Sequence, residues 1–598
     1  MIRVADYIIQ KLAEHGIKDV FMVTGGAAMH LNDAFGRSSQ MKVTCCHHEQ
    51  ACAMAAESYF RLTNRFAAVN VTAGPGAINA LNGVYGAHVD SMGMIVISGQ
   101  AKWETLVRST DLPLRQLGDQ EVDIVQMVKG ITKYAVVIQD PKTIRYHLER
   151  ALYLASHGRP GPVWLDVPIN VQGTMINPDQ LQGYNPQEDQ IKFETKNLRE
   201  AIQNIVHELS SAKRPVIYAG TGIRLSEQYE VFLELINRLK IPVVTAWNSN
   251  DLLPDDHSCY AGRPGSVGNR AGNFTVQNAD FVLVLGCRLN LRLISYNWEN
   301  FAKQAKIAMI DVDDAELKKP TLKIDIPVHA DLREALPLLL EKSGEWKSHH
   351  EEWLAWCRER LQLYPAVTEA MKNDSKGVNP YYFFDKLFAQ LDENEIIACA
   401  DGTASVAAMQ AAIIKRGQRL FHNSGCASMG YDLPAAIGAA LGCPDRKRII
   451  CIAGDGSVMM NLQELQTIVH EHLPIKLFIL NNHGYHSIRQ TQQNFFSNNI
   501  IGCDVESGVS FPNFEKMAGA FGLLYRKIDK HADIDEAIRK ILSQPGAMIT
   551  EVMLDLHQAF EPKLSSRKLE DGTMVTASLE DMAPFLAREE LGKNMIAS

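Results

Sequence analysis

Two patterns alternate along this chain. Short unbroken runs of apolar residues, rich in Val and Ile and closed by small or polar residues, are separated by stretches whose apolar positions recur three or four apart. The runs include "FAAVNVT" (66–72) and "MIVISGQ" (94–100), then "RPVIYAG" (214–220), "IPVVTAW" (241–247), "DFVLVLG" (280–286) and "IAMIDVD" (307–313), and later "EIIACADG" (395–402), "RIICIAGDG" (448–456) and "IKLFILNN" (475–482). Runs that are apolar on both faces suit parallel strands covered on both sides, and the stretches between them have the period of crossover helices. The pattern predicts an α/β protein.

The runs fall into three blocks. The first occupies 1–175 and gives way to "QGTMINPDQLQGYNPQEDQIKFETKN" (172–197), which is polar, contains two prolines and lacks periodicity, as a linker does. The second spans 190–345. A charged helical stretch, "GEWKSHHEEWLAWCRERL" (344–361), separates it from a third block at 375–560, and a polar tail fills 561–598. Three doubly wound parallel-sheet domains in a row are expected.

Composition narrows the function classes. A chain of 598 residues exceeds what one core can organise. Its net charge of −9 argues against general binding to nucleic acid or anionic membranes. It has no uninterrupted apolar segment long enough to span a bilayer, and the start "MIRVADYIIQKLAEHGIKDVF" has helical spacing rather than the layout of a secretory signal. Eleven cysteines without a CxxC pair predict buried thiols in a reducing cytoplasm.

The candidate chemistry begins where two of the runs end. "RIICIAGDG" places Asp455 between glycines, and "IKLFILNN" ends on Asn481 and Asn482, twenty-seven positions further on. Parsed as strand, helix "MMNLQELQTIV" and strand, the segment brings Asp455 and Asn482 to one sheet edge, the edge at which open α/β sheets bind ligands. A carboxylate, an amide oxygen and a backbone carbonyl suit Mg²⁺, whose octahedron substrate phosphates complete. Gly456 and Ser457 open the expected helix, where backbone N–H groups favour a phosphate. Alone, Asp455 reads equally as a helix cap and Asn482 as a turn residue; the paired asparagines in this context favour the metal.

GDG followed by NN at this distance resembles the diphosphate motif of thiamine-diphosphate enzymes. From Val20 to about Ile549 the chain is similar to the acetolactate (acetohydroxyacid) synthase branch of that family. The resemblance implies a pyrimidine-binding first domain, a central domain of the FAD or nucleotide-binding type, and a third domain for diphosphate and Mg²⁺. It implies Mg²⁺ ligands at Asp455, Asn482 and the Gly484 carbonyl, with Gly456, Ser457, Tyr485 and Ile488 in the same cofactor-binding segment. "DGTA" (401–404) matches the stretch that touches the diphosphate, through Gly402, Thr403 and Ala404. "GCASMGYDLPAAIGAA" (425–440) resembles the segment whose methionine, here Met429, holds the cofactor bent.

The other half of the expected site lies in the first block. "CCHHEQACAMAAESYFRLT" (45–63) resembles the signature whose glutamate, here Glu49, bonds the cofactor's pyrimidine ring and assists its proton transfers. "VTGGAA" (23–28) and "GDQEVDIV" (118–125) resemble loops near the reacting carbon and imply Gly26 and Gln120 there. "AGPGAINALNG" (73–83) matches the family's glycine-rich turn, for which a structural role suffices. In the central block, glycines at strand ends make a weak dinucleotide signal, because the GxGxxG spacing is not met. By resemblance this block holds FAD, with Gly220, Gly222, Gly286, Arg288, Arg292 and Asp311 on matching positions; the competing reading is a nucleotide domain that has lost its ligand.

Two departures bear on substrate. Asn290 and Leu291 stand where the family has an acidic pair, and Thr491 stands where it has an acceptor-selecting tryptophan. A smaller polar residue there opens the acceptor pocket. The expected activity is a thiamine-diphosphate- and Mg²⁺-dependent carboligase that decarboxylates a 2-oxo acid, pyruvate first, and transfers the two-carbon unit to a carbonyl acceptor. The resemblance implies a homodimer or homotetramer with sites at subunit interfaces. A larger ketone acceptor such as a keto sugar, simple decarboxylation, and a catalytically silent regulatory paralogue are the alternatives; retention of Glu49, Asp455 and Asn482 together weighs against the last.

Overall fold

The structure, a computed structural model, describes every residue except 374–375, 569–570, 572 and 597–598. Each apolar run forms a strand of a wholly parallel sheet. In the first sheet the strands are β1 (Asp19–Met22), β2 (Lys42–Cys45), β3 (Ala68–Val71), β4 (Met94–Gln100), β5 (Tyr134–Val137) and β6 (Pro162–Pro168), in the spatial order β2-β1-β3-β4-β6-β5. The central sheet contains β7 (Pro215–Ala219), β8 (Val243–Thr245), β9 (Phe281–Leu285), β10 (Lys306–Asp311) and β11 (Ile326–His329), ordered β8-β7-β9-β10-β11. The third has β12 (Ile396–Cys399), β13 (Arg419–Phe421), β14 (Ile449–Gly454), β15 (Ile475–Asn481), β16 (Leu524–Ile528) and β17 (Met548–Met553), ordered β13-β12-β14-β15-β17-β16. The first and third sheets thus repeat one topology, with helices on both faces. No described helix is long and apolar enough to cross a membrane.

One helix pair joins the two repeats. Glu49–Thr63 begins at His48, whose Nδ1 accepts the Gln50 N–H at 3.1 Å, and ends at Asn64 in the left-handed region. Its run of alanines and other small residues is buried along nearly its whole length. It lies against Asp432–Gly442, whose sequence "DLPAAIGAALG" is equally small, and the backbones approach so closely that a Cβ on Gly438 would overlap the Ala55 carbonyl. Ser58 donates to the Ala435 carbonyl across this seam at 2.7 Å.

Charge is sealed into the same seam. Arg61, about 3% exposed at its side chain, pairs with Glu57 and, at 2.8 Å, with Asp90. Glu57 also accepts from Tyr431, the residue before the second helix, and Asp90 accepts the Gly425 N–H at 3.0 Å. Burial pushes the Glu57 carboxyl up, and the Arg61 guanidinium opposes that shift.

Two expectations change. The helix predicted from Met459 is shorter: a 3-10 turn at Val458–Met460 comes first, and the α-helix runs only over Glu464–His470. Asn461 and Gln463 use their side chains on other partners in between, which interrupts the helical ladder. The polar tail is not a loose end either. It returns to the central sheet, where Leu564 N–H donates to Ser266 O at 2.7 Å, and it caps the buried amides of helix Arg270–Gln277 and of Asn278, just beyond the helix end. Asn273 donates to Leu579 O at 2.8 Å and Asn278 to Asn594 O at 2.9 Å. These bonds are made by the tail's backbone groups.

Replacing Arg61 with methionine leaves buried Glu57 without its cation and Asp90 with only Arg288, at 4.0 Å, at a cost of about 3–5 kcal/mol. The urea midpoint and Tm of Arg61→Met fall well below those of the parent, and a variant within error of it would show that this network does not hold the repeats together.

Candidate active site

β14 and β15 are neighbours in register, Gly454 beside Leu480, so Asp455 and Asn482 leave the same edge of the third sheet. Asp455 is 2% exposed; its Oδ1 accepts the Gly456 N–H at 2.8 Å and its Oδ2 the Gly484 N–H at 2.9 Å. Burial still pushes its carboxyl up to about 7, so a cation beside it has a desolvated charge to stabilise. Asn482 is buried, and its Nδ2 makes one long contact, 3.4 Å, to Thr403 Oγ1. Its Oδ1 is buried with no hydrogen-bond partner. An amide oxygen and a carboxylate at one turn are oxygen donors of the kind that suit a divalent cation.

The flanking residues fix this turn's shape. Gly484 has φ +143°, and a Cβ there would overlap the Cys503 carbonyl. The ring of Tyr485 occupies the space a side chain at Gly456 would need. Gly402, at φ +80°, has open space where its Cβ would stand, and Thr403 and Ala404 begin the helix that follows it. Met429 is half-buried, and Ile488 is 51% exposed.

The Ser457 side chain is engaged within the protein. Its hydroxyl donates to Asp432 Oδ2 at 2.6 Å and accepts the Gly430 N–H at 2.8 Å. The proton and a lone pair are thereby committed, so the side chain pins the Met429–Gly430 segment to the Asp455 turn. Only the Ser457 backbone N–H remains for a phosphate, and no α-helix begins there to add its dipole. The residue that pins it, Asp432, escaped the sequence reading because nothing in "GYDLPAA" distinguishes it from a helix-start carboxylate.

The first-sheet residues form a second cluster. Glu49 is 8% exposed, and its Oε2 accepts from Asn79 Nδ2 at 3.0 Å. A Cβ on Gly76 would come within 3.0 Å of Glu49 Oε1 and 2.8 Å of Thr72 Cγ2, so the glycine-rich turn makes room for the carboxylate. Gly74, at φ +60°, abuts the Gln120 carbonyl; Gln120 itself is exposed with φ +57°, and Gly26 is exposed. Asn461 joins the clusters by donating to Gln50 Oε1 at 3.1 Å and to Gly430 O at 2.7 Å, while Glu464 accepts the His47 N–H at 3.0 Å. Asn79, Asn461 and Glu464 were missed because each reads as an ordinary helix-flank polar residue.

A cleft of about 820 Å³, counting its open mouth, lies between the first and central sheets. Gly222, Gly286, Arg288 and Asp311 line it, together with Asp90 and Arg159 of the first block. Gly220 backs it: its N–H donates to Leu285 O at 3.0 Å, and any side chain would strike the Gly286 carbonyl. Burial pushes the Asp311 carboxyl up to about 6. Arg159 crosses from the first block to Asp313 and Glu316, each at 2.9 Å. Arg292 does not line this cleft; it lies over the Trp247 ring at 5.3 Å and faces Asp401 of the third block. Thr491 is exposed and its hydroxyl turns back to Ser487 O at 3.0 Å.

Three family descriptions cover the chain in succession: the thiamine pyrophosphate enzyme N-terminal TPP binding domain at residues 2–127, the central domain at 202–339 and the C-terminal TPP binding domain at 401–552. The chain therefore belongs to the thiamine pyrophosphate enzyme family. Within it the likeness is to acetolactate synthases. The chain is 32% identical over 565 residues to the acetolactate synthase large subunit of Lactococcus lactis, covering 93% of each. It is 30% identical to the isozyme 1 large subunit of Escherichia coli, with 93% and 95% covered, and 31% identical to chloroplastic acetolactate synthase 1 of Nicotiana tabacum, with 94% and 83% covered.

Proposed function

We propose that this acetolactate synthase-like enzyme decarboxylates pyruvate and transfers the two-carbon unit to a carbonyl acceptor, a second 2-oxo acid. The observation that carries the reading is the buried, unpartnered Asn482 Oδ1 beside the desolvated Asp455 carboxylate, at the edge where family membership puts the diphosphate. Asp455, Asn482 and the Gly484 carbonyl would hold Mg²⁺; Gly402, Thr403, Ala404, Gly456 and the Ser457 backbone would face the diphosphate; Met429, Tyr485 and Ile488 would pack on the cofactor. When bound, thiamine diphosphate supplies the electron sink that decarboxylation of a 2-oxo acid needs. Glu49 holds or releases a proton at its carboxylate, with Asn79 fixing one oxygen, and Gly26 and Gln120 border the space for substrate.

FAD suits the cleft between the first and central sheets. The backbones of Gly222 and Gly286 meet without side chains, and Asp311 ends parallel strand β10, where a ribose is bound in nucleotide folds. The proposed reaction needs no net redox from it. The two clusters are read as meeting across an interface between copies, in a homodimer or homotetramer; exposed Leu112, Leu114 and Leu117 beside Gln120 support a covered surface there. All eleven cysteines are free thiols, which supports a reducing cytoplasm.

Pyruvate supplied alone and with other carbonyl compounds, with products identified by mass, tests the reading: acetolactate or a related hydroxy acid is expected. Acetaldehyde alone would make the protein a decarboxylase, and a product only with a larger ketone would move the acceptor. Glu49→Gln loses turnover by at least about 100-fold while still binding cofactor; full activity there would remove Glu49 from proton transfer. Asp455→Ala loses Mg²⁺-dependent cofactor retention, read by calorimetry, and unchanged affinity would refute the metal site. The purified protein carries a flavin absorbance band; a colourless active enzyme would take FAD out of the cleft.

A further inference from the structure

The turn proposed to hold the cation is itself held from behind. Arg489 is 9% exposed, although its helix neighbours Ile488 and Thr491 face solvent. Its guanidinium folds back over the first turn of helix His486–Phe495. Nη2 donates to the Asn482 carbonyl at 3.1 Å and approaches His486 Nδ1 at 3.3 Å, while Nη1 lies 3.5 Å from Asp504 Oδ2. Because arginine can only donate, His486 Nδ1 accepts there, while its Nε2 lies 2.9 Å from the Gln558 carbonyl and 2.8 Å from the Gln490 amide nitrogen.

Asp504 is a fixed partner. Its Oδ1 accepts the Ser507 hydroxyl at 2.7 Å and the Ser507 N–H at 3.0 Å, and Ser507 Oγ in turn accepts the N–H groups of Cys503 and Asp504, both at 2.9 Å. Ser507 first, then Arg489, hold the Asp504 carboxyl below the usual range, so it is anionic at neutral pH. The same loop meets the metal turn by a second route, because the Tyr485 N–H donates to Cys503 O at 2.8 Å, and this is the carbonyl that leaves no room for a side chain at Gly484. Residues 501–509 therefore form a buttress behind Gly484.

The geometry points to Arg489 as the residue that positions the cation-binding turn. It ties the Asn482 backbone to the Asp504 buttress and so fixes where the unpartnered Asn482 Oδ1 is aimed. The inference rests on the reading of Asp455, Asn482 and Gly484 as Mg²⁺ ligands. Mg²⁺ demands a near-octahedral set of oxygens at about 2.0–2.1 Å, so small displacements of one donor cost affinity. Removing groups that orient metal ligands typically lowers affinity about 10–100-fold.

Calorimetric binding of thiamine diphosphate to metal-stripped protein, at stepped Mg²⁺ concentrations, tests this on the parent, Arg489→Met, Arg489→Lys and Asp504→Asn. The Mg²⁺ concentration for half-maximal cofactor binding rises about 10–100-fold in Arg489→Met and by a smaller factor in Asp504→Asn. Arg489→Lys, which keeps a donor for the Asn482 carbonyl, recovers most of the loss, and the Tm of the cofactor-free protein stays near that of the parent. An unchanged Mg²⁺ requirement in Arg489→Met overturns the proposal. Should that variant fail to fold, Asp504→Asn, at a partly exposed side chain, decides in its place, and an unchanged requirement there overturns the proposal equally. A parent protein that binds thiamine diphosphate equally well with and without Mg²⁺ overturns the ligand assignment beneath it.

Discussion

The closeness with which the Glu49–Thr63 helix lies against Asp432–Gly442 is the constraint from which the rest of the architecture follows. Helices pack at 8–10 Å, the distance set by the side chains between them. Here alanine, serine and glycine let the backbones approach closely, and Gly438 faces the Ala55 carbonyl with no space for a methyl group. Only at that approach can Asn461 reach Gln50 and Glu464 reach the N–H of His47. Glu49 thus stands at the start of a helix clamped from another sheet, and its position is set by the body of the protein rather than by its own loop. The cost is a buried arginine, tolerable because Glu57 and Asp90 neutralise it and Tyr431 and Gly425 satisfy what remains of their lone pairs.

Satisfied and unsatisfied polar groups then separate scaffold from site. Ser457 and Asp432 are deeply buried and saturate each other, so they hold shape. Asn482 is as deeply buried and leaves its oxygen without a partner. Asp455 has two backbone donors, yet burial still raises its carboxyl. Buried polar atoms without partners occur elsewhere in the protein, but Asn482 and the desolvated Asp455 lie together at the carboxyl ends of adjacent strands, where open α/β sheets bind ligands. That conjunction, more than the GDG motif, makes the turn a candidate for a cation.

The strands and the Asp455–Asn482 pairing were legible in the sequence because both are local: a buried parallel strand must be apolar throughout, and the residue after it is found by counting. What escaped depends on distant partners. The docking of the tail has no local signal, because its backbone carbonyls are what meet the amides of Asn273 and Asn278. The hydrogen bond from the Ser457 hydroxyl to Asp432 joins residues 25 positions apart and leaves no local signal. Arg292 was grouped with the flavin residues by resemblance alone, and the places of Trp247 and Asp401 near its side chain are not legible along the chain. The helix from Met459 failed for the same reason, since Asn461 spends its side chain on the partner helix.

The shared order of the first and third sheets, invisible at the level of residues, explains how one fold serves both ends of a cofactor. In the third sheet the segments after β12, β13, β14 and β15 carry Gly402, Met429, Asp455 and Asn482; in the first, those after β1, β2 and β3 carry Gly26, Glu49 and the glycine-rich turn. Corresponding edges thus differ mainly in chemistry. One offers oxygen donors and backbone N–H groups, fitted to phosphates and a divalent cation. The other offers a single carboxylate among glycines, fitted to an uncharged ring that must exchange a proton. A ligand anionic at one end and heterocyclic at the other matches two such edges brought face to face. Neither edge carries both sets of groups, since the oxygen donors and the lone carboxylate follow strands of different sheets.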